Sequence, residues 1–250
     1  MAATLYVIPG SHASMAARLM LEQKGIEYRR VDLMPVISKA VVKALRFGGV
    51  TVPALKIDGR RIHGSLTIAR ELDRMRPEPP LFPGDAERRT AVGEAERWGE
   101  DRLQGMARRI LWNAIRRDRS AIGSYAEGAR LGIPVALAVK AAPPIIAVSV
   151  RTNRADDVTV RADLASLPGA LERVDAWIAE GVLGGETVNA ADLQVSTSLR
   201  LLMTLDDVRG AIEGRPAGEL TLRLVPEFPG HIGPVFPSAW LEPLREAAPA

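Results

Sequence analysis

Three short stretches of this 250-residue sequence carry side chains suited to holding and activating a small ligand. The first is Pro9-Gly10-Ser11-His12-Ala13-Ser14, where a β-rich run gives way to a helical pattern. Free backbone N–H groups and the positive dipole end at a helix start stabilise an anion, a thiolate included. Ser11 and Ser14 each bring a hydroxyl to that turn, and His12 could act as a base or cap and face solvent. Serine is also a favoured N-cap, so either hydroxyl could do that job alone. The second stretch is Thr51-Val52-Pro53, just ahead of a strand pattern. A trans bond there gives an ordinary turn, whereas a cis Val52-Pro53 bond would expose the Val52 N–H and C=O to a peptide-like ligand. The third is Gly64-Ser65, where Ser65 can cap the following helix or offer its N–H and hydroxyl to a carboxylate. His63, beside it at a strand end, has the same two readings as His12.

The elements that must position these residues follow from periodicity. Thr4 to Ile8 reads as a short strand stopped by Pro9-Gly10. Residues 12 to 24 place Ala16, Leu19, Met20 and Gln23 on one helical face, with Gly25 at the C′ position. Ile26 to Leu33 alternates like a half-buried strand, and Ser38 to Phe47 reads as a helix ending at Gly48-Gly49. Ala54 to Ile57 and Arg60 to Ile62 flank Asp58-Gly59, a two-residue hairpin signal. From Ser65, the residues Ile68, Ala69, Leu72 and Met75 recur at helical spacing up to Pro77. The order β-α-β-α-β-β-α predicts an α/β layer whose last two strands are antiparallel.

Pro77 to Gly84 holds four prolines in eight residues and reads as a linker. Helical patterns dominate beyond it: 86 to 119 as one long helix or two, 168 to 180, and a buried helix over 188 to 203. The proline-rich stretch from 215 to 250 is expected to wrap the surface after one last short helix. The predicted division is therefore 1–77, a linker over 78–85, and an all-α part over 86–250.

Composition narrows the chemistry. Hydrophobic residues make up 47% and charged residues 25%, which excludes a disordered or fibrous chain. With no cysteine there is no disulfide scaffold, thiolate metal site, cysteine nucleophile or Cys-x-x-Cys pair. Its three histidines, His12, His63 and His231, stand far apart, so no metal is expected. The most apolar stretch, Leu131 to Val150, contains Lys140 and three prolines, so no membrane span is expected, and the N-terminus shows no secretory pattern. The chain reads as soluble and cytoplasmic. Of the 33 basic residues 28 are arginine, against five lysines, which fits a GC-rich coding sequence. The dense run from Arg108 to Arg119 interleaves with Ile110, Leu111, Trp112 and Ile115 as an amphipathic helix. Its charged side is read as a solvated face, with no nucleic-acid partner expected.

Taken in order, these motifs resemble the glutathione transferase superfamily. The resemblance rests on Leu5-Tyr6 with Pro9-Gly10-Ser11, on Arg18 to Ile26, on Val52-Pro53-Ala54-Leu55, and on Gly64-Ser65-Leu66-Thr67-Ile68-Ala69 with the proline-rich exit. In the helical half, Asn189-Ala190-Ala191-Asp192-Leu193 is similar to the family's capping box, with Val188 as the staple. The resemblance implies a thioredoxin-like N-terminal domain with a mixed four-stranded sheet, followed by an all-α C-terminal domain. It implies Ser11 as the hydroxyl that donates to a glutathione thiolate, with Ser14 as runner-up and Tyr6 more suited to packing inside its strand. It further implies Val52 against the cysteinyl backbone, with Pro53 cis, and Ser65 against the γ-glutamyl carboxylate. Gly64 stands where the family usually carries an acidic or amide side chain, and Ser11 and Ser14 where glutaredoxin-like relatives carry cysteines.

The expected activity is transfer of glutathione, or of a related low-molecular-weight thiol, to a small-molecule electrophile. The acceptor would lie against Arg97, Trp98, Asp101 and Met106, and the resemblance implies a homodimer and a detoxification role. The alternative is a catalytically silent ligand-binding or protein-interaction module on the same fold. The segment from Ile122 to Arg154 has no counterpart in the resemblance and could cover the acceptor site or form a dimer contact.

Overall fold

The computed structural model describes residues 2–132 and 134–247. Pro249, part of the expected C-terminal tail, lies outside the described residues. Strand β1 (Ala3–Val7) turns Ala3, Leu5 and Val7 into the main core and Tyr6 to the opposite face, the period-two alternation of a strand. It pairs in parallel with β2 (Arg29–Asp32) and antiparallel with β3 (Ala54–Ile57), which pairs antiparallel with β4 (Arg60–His63). The sheet order is β2-β1-β3-β4, the mixed four-stranded layer that the sequence predicts. Between β3 and β4, Asp58 (φ 45°) and Gly59 (φ 81°) both take positive φ, which gives a two-residue turn the twist its flanking strands need.

Helices α1 (His12–Gln23) and α3 (Ser65–Met75) cover one face of the sheet, where Met20, Ile68 and Leu72 pack with Leu5 and Ile57. Helix α2 (Ile37–Ala44) covers the other through Val42, beside Phe47, Ala54 and Tyr6. The Tyr6 and Phe47 rings meet edge to face at 5.6 Å, so Tyr6 is a packing residue, as its place inside the strand suggested. Residues 26–33 are strand only at Arg29–Asp32, because α1 ends in a Schellman turn that uses Ile26. Gly25 (φ 59°) donates to Glu22 O and Ile26 to Leu21 O, both at 2.9 Å, and Ile26 buries its side chain there. The buried face of α1 is also wider than the expected stripe: Ala13, Ala17 and Leu21 join it, while Leu19 is only partly covered.

No regular element lies between Met75 and Ala86. That stretch is held by Lys24, whose side chain is fully buried. Its Nζ donates to Asp73 Oδ1 (2.9 Å) and to the carbonyls of Arg76 (2.7 Å), Pro77 (3.2 Å) and Pro79 (2.6 Å).

Beyond it lie α4 (Ala86–Trp98), a π-helical turn (Gly99–Leu103) and α5 (Gln104–Arg117). Then come α6 (Ile122–Tyr125), α7 (Val135–Lys140), α8 (Ala142–Asn153), α9 (Asp157–Ala179), α10 (Ala190–Leu202), α11 (Asp206–Glu213), α12 (Pro216–Leu224) and α13 (Ser238–Glu246). Every residue of α10 but Arg200 is buried, and it packs against α1, α4, α5 and α12. Its start is the expected capping box: Asn189 Oδ1 accepts the Asp192 N–H (3.0 Å) and Asp192 Oδ2 accepts the Asn189 N–H (2.8 Å). The helix expected to start at Pro168 instead begins at Asp157 and runs through that proline. Burial of Val160, Leu164 and Leu167 on the preceding turns outweighs the backbone hydrogen bond that Pro168 cannot make. The C-terminal stretch holds two helices, α12 and α13, rather than one, because Pro216 sits in the first turn of α12, where a missing N–H costs nothing.

No helix among the described residues is long and apolar enough to cross a membrane. The apolar stretch around 131–150 is divided between α7 and α8. The segment that contains them is fastened to the sheet at the end of β2. Asp32, gripped by Arg30 through two bonds of 2.6 Å, accepts the Arg130 N–H at 2.7 Å, while Arg30 reaches Gly128 O at 3.1 Å.

Candidate functional site

A cavity of about 710 Å³ lies between the sheet layer and the helices, and Ser11, His12, Val52, Pro53, Gly64 and Ser65 all line it. Three loops separated by some forty and twelve residues thus converge because β1 and β3 are neighbours and α3 starts directly after β4. Gly10 (φ 69°) makes the turn out of β1, and a Cβ there would stand 3.0 Å from the Tyr125 ring. Ser11 caps α1, its Oγ accepting the Ser14 N–H at 3.3 Å. An accepting oxygen keeps its own hydrogen to donate, so capping leaves the Ser11 hydroxyl free to serve a ligand. Ser14 is placed differently: it is buried, its Oγ faces the Ile8 N–H at 3.4 Å, and it does not line this cavity.

The Val52-Pro53 peptide is cis, and among the described residues the Val52 N–H and C=O make no backbone hydrogen bond. Gly64 (φ 82°) precedes α3 and donates its N–H to Pro53 O at 3.0 Å, which joins the second and third stretches. Ser65 is not the cap of α3 but its first residue, and its hydroxyl donates to Glu100 Oε2 at 3.2 Å. The Ser65 N–H at the helix start has no intrahelical partner, the arrangement that favours an anion. His63 also lines the cavity and is held by Thr51, its Nε2 lying 3.2 Å from the Thr51 N and 3.1 Å from Oγ1.

His12 does not face solvent. It is 3% exposed, and neither ring nitrogen has a hydrogen-bond partner among the described residues. Burial, reinforced by the nearby Arg108 charge, holds its pKa well below the ordinary histidine value, so the ring is neutral at pH 7. As the first residue of α1 it must point back over the turn before it, and there the helices of the C-terminal half close over it.

The far wall differs from the expected one. Arg97, Trp98, Asp101 and Met106 do not line the cavity; Trp98 packs edge to face on Trp177 at 5.2 Å, and Met106 is in the core. Glu100, Gln104, Arg108, Leu111, Trp112 and Ile115 take their place. The π-helical turn accounts for the exchange of Asp101 for Glu100. Counting back seven residues from Arg108 along an unbroken α-helix reaches Asp101, but the extra residue in the turn brings Glu100 onto that face instead. Glu100 Oε2 gathers Ser65 Oγ, Gln104 Nε2 (2.8 Å) and Gln194 Nε2 (2.7 Å). The sequence signal for this wall was the Gln104, Arg108, Leu111, Trp112, Ile115 stripe.

The basic run is likewise not a bare solvated face. Arg109 pairs bidentately with Asp163 (2.6 and 2.7 Å), Arg116 and Arg117 reach Asp157, and Arg108 enters the cavity. The 122–154 segment covers the cavity with Ile122, Tyr125, Val139 and Ile145. Among the described residues, no group of three or more His, Asp or Glu side chains could hold a metal ion.

Comparison with known proteins agrees with this architecture. Residues 5–80 match the family model for the glutathione S-transferase N-terminal domain. A maleylacetoacetate isomerase of Rattus norvegicus is 36% identical over 92 residues, 35% of this chain and 43% of the relative. The match therefore spans less than half the length of that curated relative. Among solved structures, a glutathione S-transferase from Rhodospirillum rubrum superimposes with a TM-score of 0.59 at 20% identity, covering 96% of this chain and 99% of its own. One from Methylobacillus flagellatus, determined with glutathione bound, does so with a TM-score of 0.55 at 18% identity, over 99% and 100% of the two chains. Residues 5–80 thus match the glutathione S-transferase N-terminal domain, and the whole length of the chain shares the fold of solved glutathione S-transferases.

Proposed function

We propose that this chain binds glutathione, or a related low-molecular-weight thiol, in the cavity and activates its sulfur at Ser11 for attack on a small electrophile. The observation that carries the reading is the convergence of Ser11, Val52 and Ser65 on one cavity that also has an apolar wall. The Ser11 hydroxyl and the N-terminus of α1 both favour a thiolate over a thiol, each pKa unit of lowering corresponding to about 1.4 kcal/mol. The free main-chain groups of Val52 suit the cysteinyl backbone, and the Ser65 N–H suits the γ-glutamyl carboxylate. Glu100, held beside Ser65, offers a carboxylate to the ligand's ammonium and stands in for the side chain that Gly64 lacks. The curated relative is an isomerase. The same thiolate chemistry serves either outcome: a thiolate added to an activated double bond stays as the adduct, or leaves again after rotation about the former double bond. By likeness to the superfamily, the working unit is proposed to be a homodimer.

Isothermal titration with reduced glutathione tests the reading. The wild type should bind saturably and develop a thiolate absorbance, Ser11→Ala should lose that absorbance, and Ser14→Ala, if folded, should keep it. No binding by folded wild-type protein to glutathione or to other low-molecular-weight thiols would overturn the proposal in favour of the silent binding module.

A further inference from the structure

The helical side of the cavity holds Arg108, which makes no ion pair among the described residues and feels Glu100 only through space. Of the four arginines on α5, Arg109 is paired with Asp163, and Arg116 and Arg117 with Asp157. Arg108 has no carboxylate within ion-pair distance among the described residues, and its Nη2 donates only to the neutral Gln104 Oε1. The acid on the same stripe, Glu100, has its Oε2 engaged by Ser65, Gln104 and Gln194. The helices on this side line the cavity largely with apolar side chains, Leu111, Trp112 and Ile115 on α5, Ile122 on α6, Val139 on α7 and Ile145 on α8, while Ser149, Thr152 and Asn153 on α8 add neutral polar groups and no charge.

A charge held among hydrocarbon side chains is costly unless something pairs with it. His12, lining the same cavity, adds a second unmet demand, for both of its ring nitrogens are buried without partners among the described residues. A neutral imidazole both donates and accepts one hydrogen bond, so it suits a carbonyl, hydroxyl or carboxyl oxygen rather than a hydrocarbon. The guanidinium matches a carboxylate in plane through two parallel N–H···O bonds. The other cation of the lining, Lys39, is exposed on α2, so the helical side supplies the one positive charge of Arg108, which balances a carboxylate and leaves a phosphate dianion half uncompensated.

We infer that the second substrate is an apolar electrophile bearing a carboxylate, the carboxylate pairing with Arg108 and a polar oxygen meeting His12. Only its description as an electrophile rests on the thiol reading; the anion site stands on Arg108 and His12. Cationic compounds of the same size should be excluded.

The test compares 4-phenylbutyrate with its neutral isostere 4-phenylbutyramide by titration calorimetry, on the wild type, Arg108→Gln and Arg108→Lys, with reduced glutathione titrated into the same preparations. The wild type should bind the carboxylate at least tenfold more tightly than the amide. That ratio should fall to near one in Arg108→Gln and recover in part in Arg108→Lys, a point charge without the planar fork. Equal binding of the two probes by the wild type overturns the inference, and this arm does not depend on the folding of any variant. A ratio unchanged in folded Arg108→Gln overturns it as well. Discrimination without glutathione binding would support the anion site and count against the thiol reading; glutathione binding without discrimination would do the reverse.

Discussion

Replacing Lys24 with methionine should loosen the joint between the two halves of the chain. Methionine fills much the same volume and keeps the unbranched stem, so the change removes chiefly the ammonium. That ammonium makes four contacts in a fully enclosed position: Asp73 Oδ1, and the carbonyls of Arg76, Pro77 and Pro79, at 2.6 to 3.2 Å. In the variant three carbonyls of otherwise exposed residues lose this donor at a part-buried spot, while Asp73 keeps only the Leu81 N–H at 2.7 Å. Hydrogen bonds to a charged group contribute roughly 1.5–3 kcal/mol each, part of which is offset because the lysine no longer has to be desolvated. Removing one partner from a buried ionic cluster accordingly costs about 3–5 kcal/mol. Unfolding 250 residues releases roughly 0.5 kcal/mol per kelvin, so the melting temperature should drop by about 6–10 °C. Thermal and urea melts followed by circular dichroism measure this directly, with Lys56→Met, an exposed strand lysine, as the control expected to stay within about 0.5 kcal/mol of wild type. A Lys24→Met melting point within about 2 °C of wild type would refute the reasoning, since the four acceptors would then have found other partners.

Glu96 gives stability a pH dependence. It is buried on α4 with Arg70 Nη2 2.8 Å from its Oε2, and burial, only partly offset by that arginine, raises its pKa from 4.5 to about 7. Unfolded chains release this proton at the ordinary carboxylate pKa and the folded chain only near pH 7, so the native state binds more protons between those values. Stability falls as pH rises across that window, by up to about 3 kcal/mol. Urea midpoints from pH 4 to 8 should decline less in Glu96→Gln than in wild type; parallel profiles would show that Glu96 ionises freely. Asn189→Ala should destabilise by about 1–2 kcal/mol through loss of the capping box, at the upper end because Asn189 Nδ2 also holds Val182 O at 2.9 Å. Chemical denaturation checks this, and a change below about 0.5 kcal/mol would mean that the box carries little energy.

The order of strands and helices in the first half was legible because each element has its own local period and its own stop. Gly25 ends α1, Asp58-Gly59 forces the hairpin, and Asn189 with Asp192 starts α10, all within a few residues. The residues that converge on the sheet side of the cavity stood out for the same reason: Ser11, Val52-Pro53 and Ser65 each sit at an element boundary, where backbone groups are left free. What the sequence left open depends on distant partners. Whether Ser11 or Ser14 faces the cavity follows from how α1 seats against β1, and whether His12 meets water follows from the helices that close over it. Pro168 looked like a helix start because local propensity disfavours it inside one, yet core burial on both sides carries α9 straight through. On the opposite wall, Glu100 stands where Asp101 was expected because a π-helical turn leaves no mark on the hydrophobic period until α5 resumes in a new phase. The sheet side of the cavity was thus written into local sequence at element boundaries. The identity of the opposite wall, and the unpaired Arg108 within it, arose only when α5 and the 122–154 segment were packed over the sheet, because phase and burial are properties of the assembled helices rather than of any one of them.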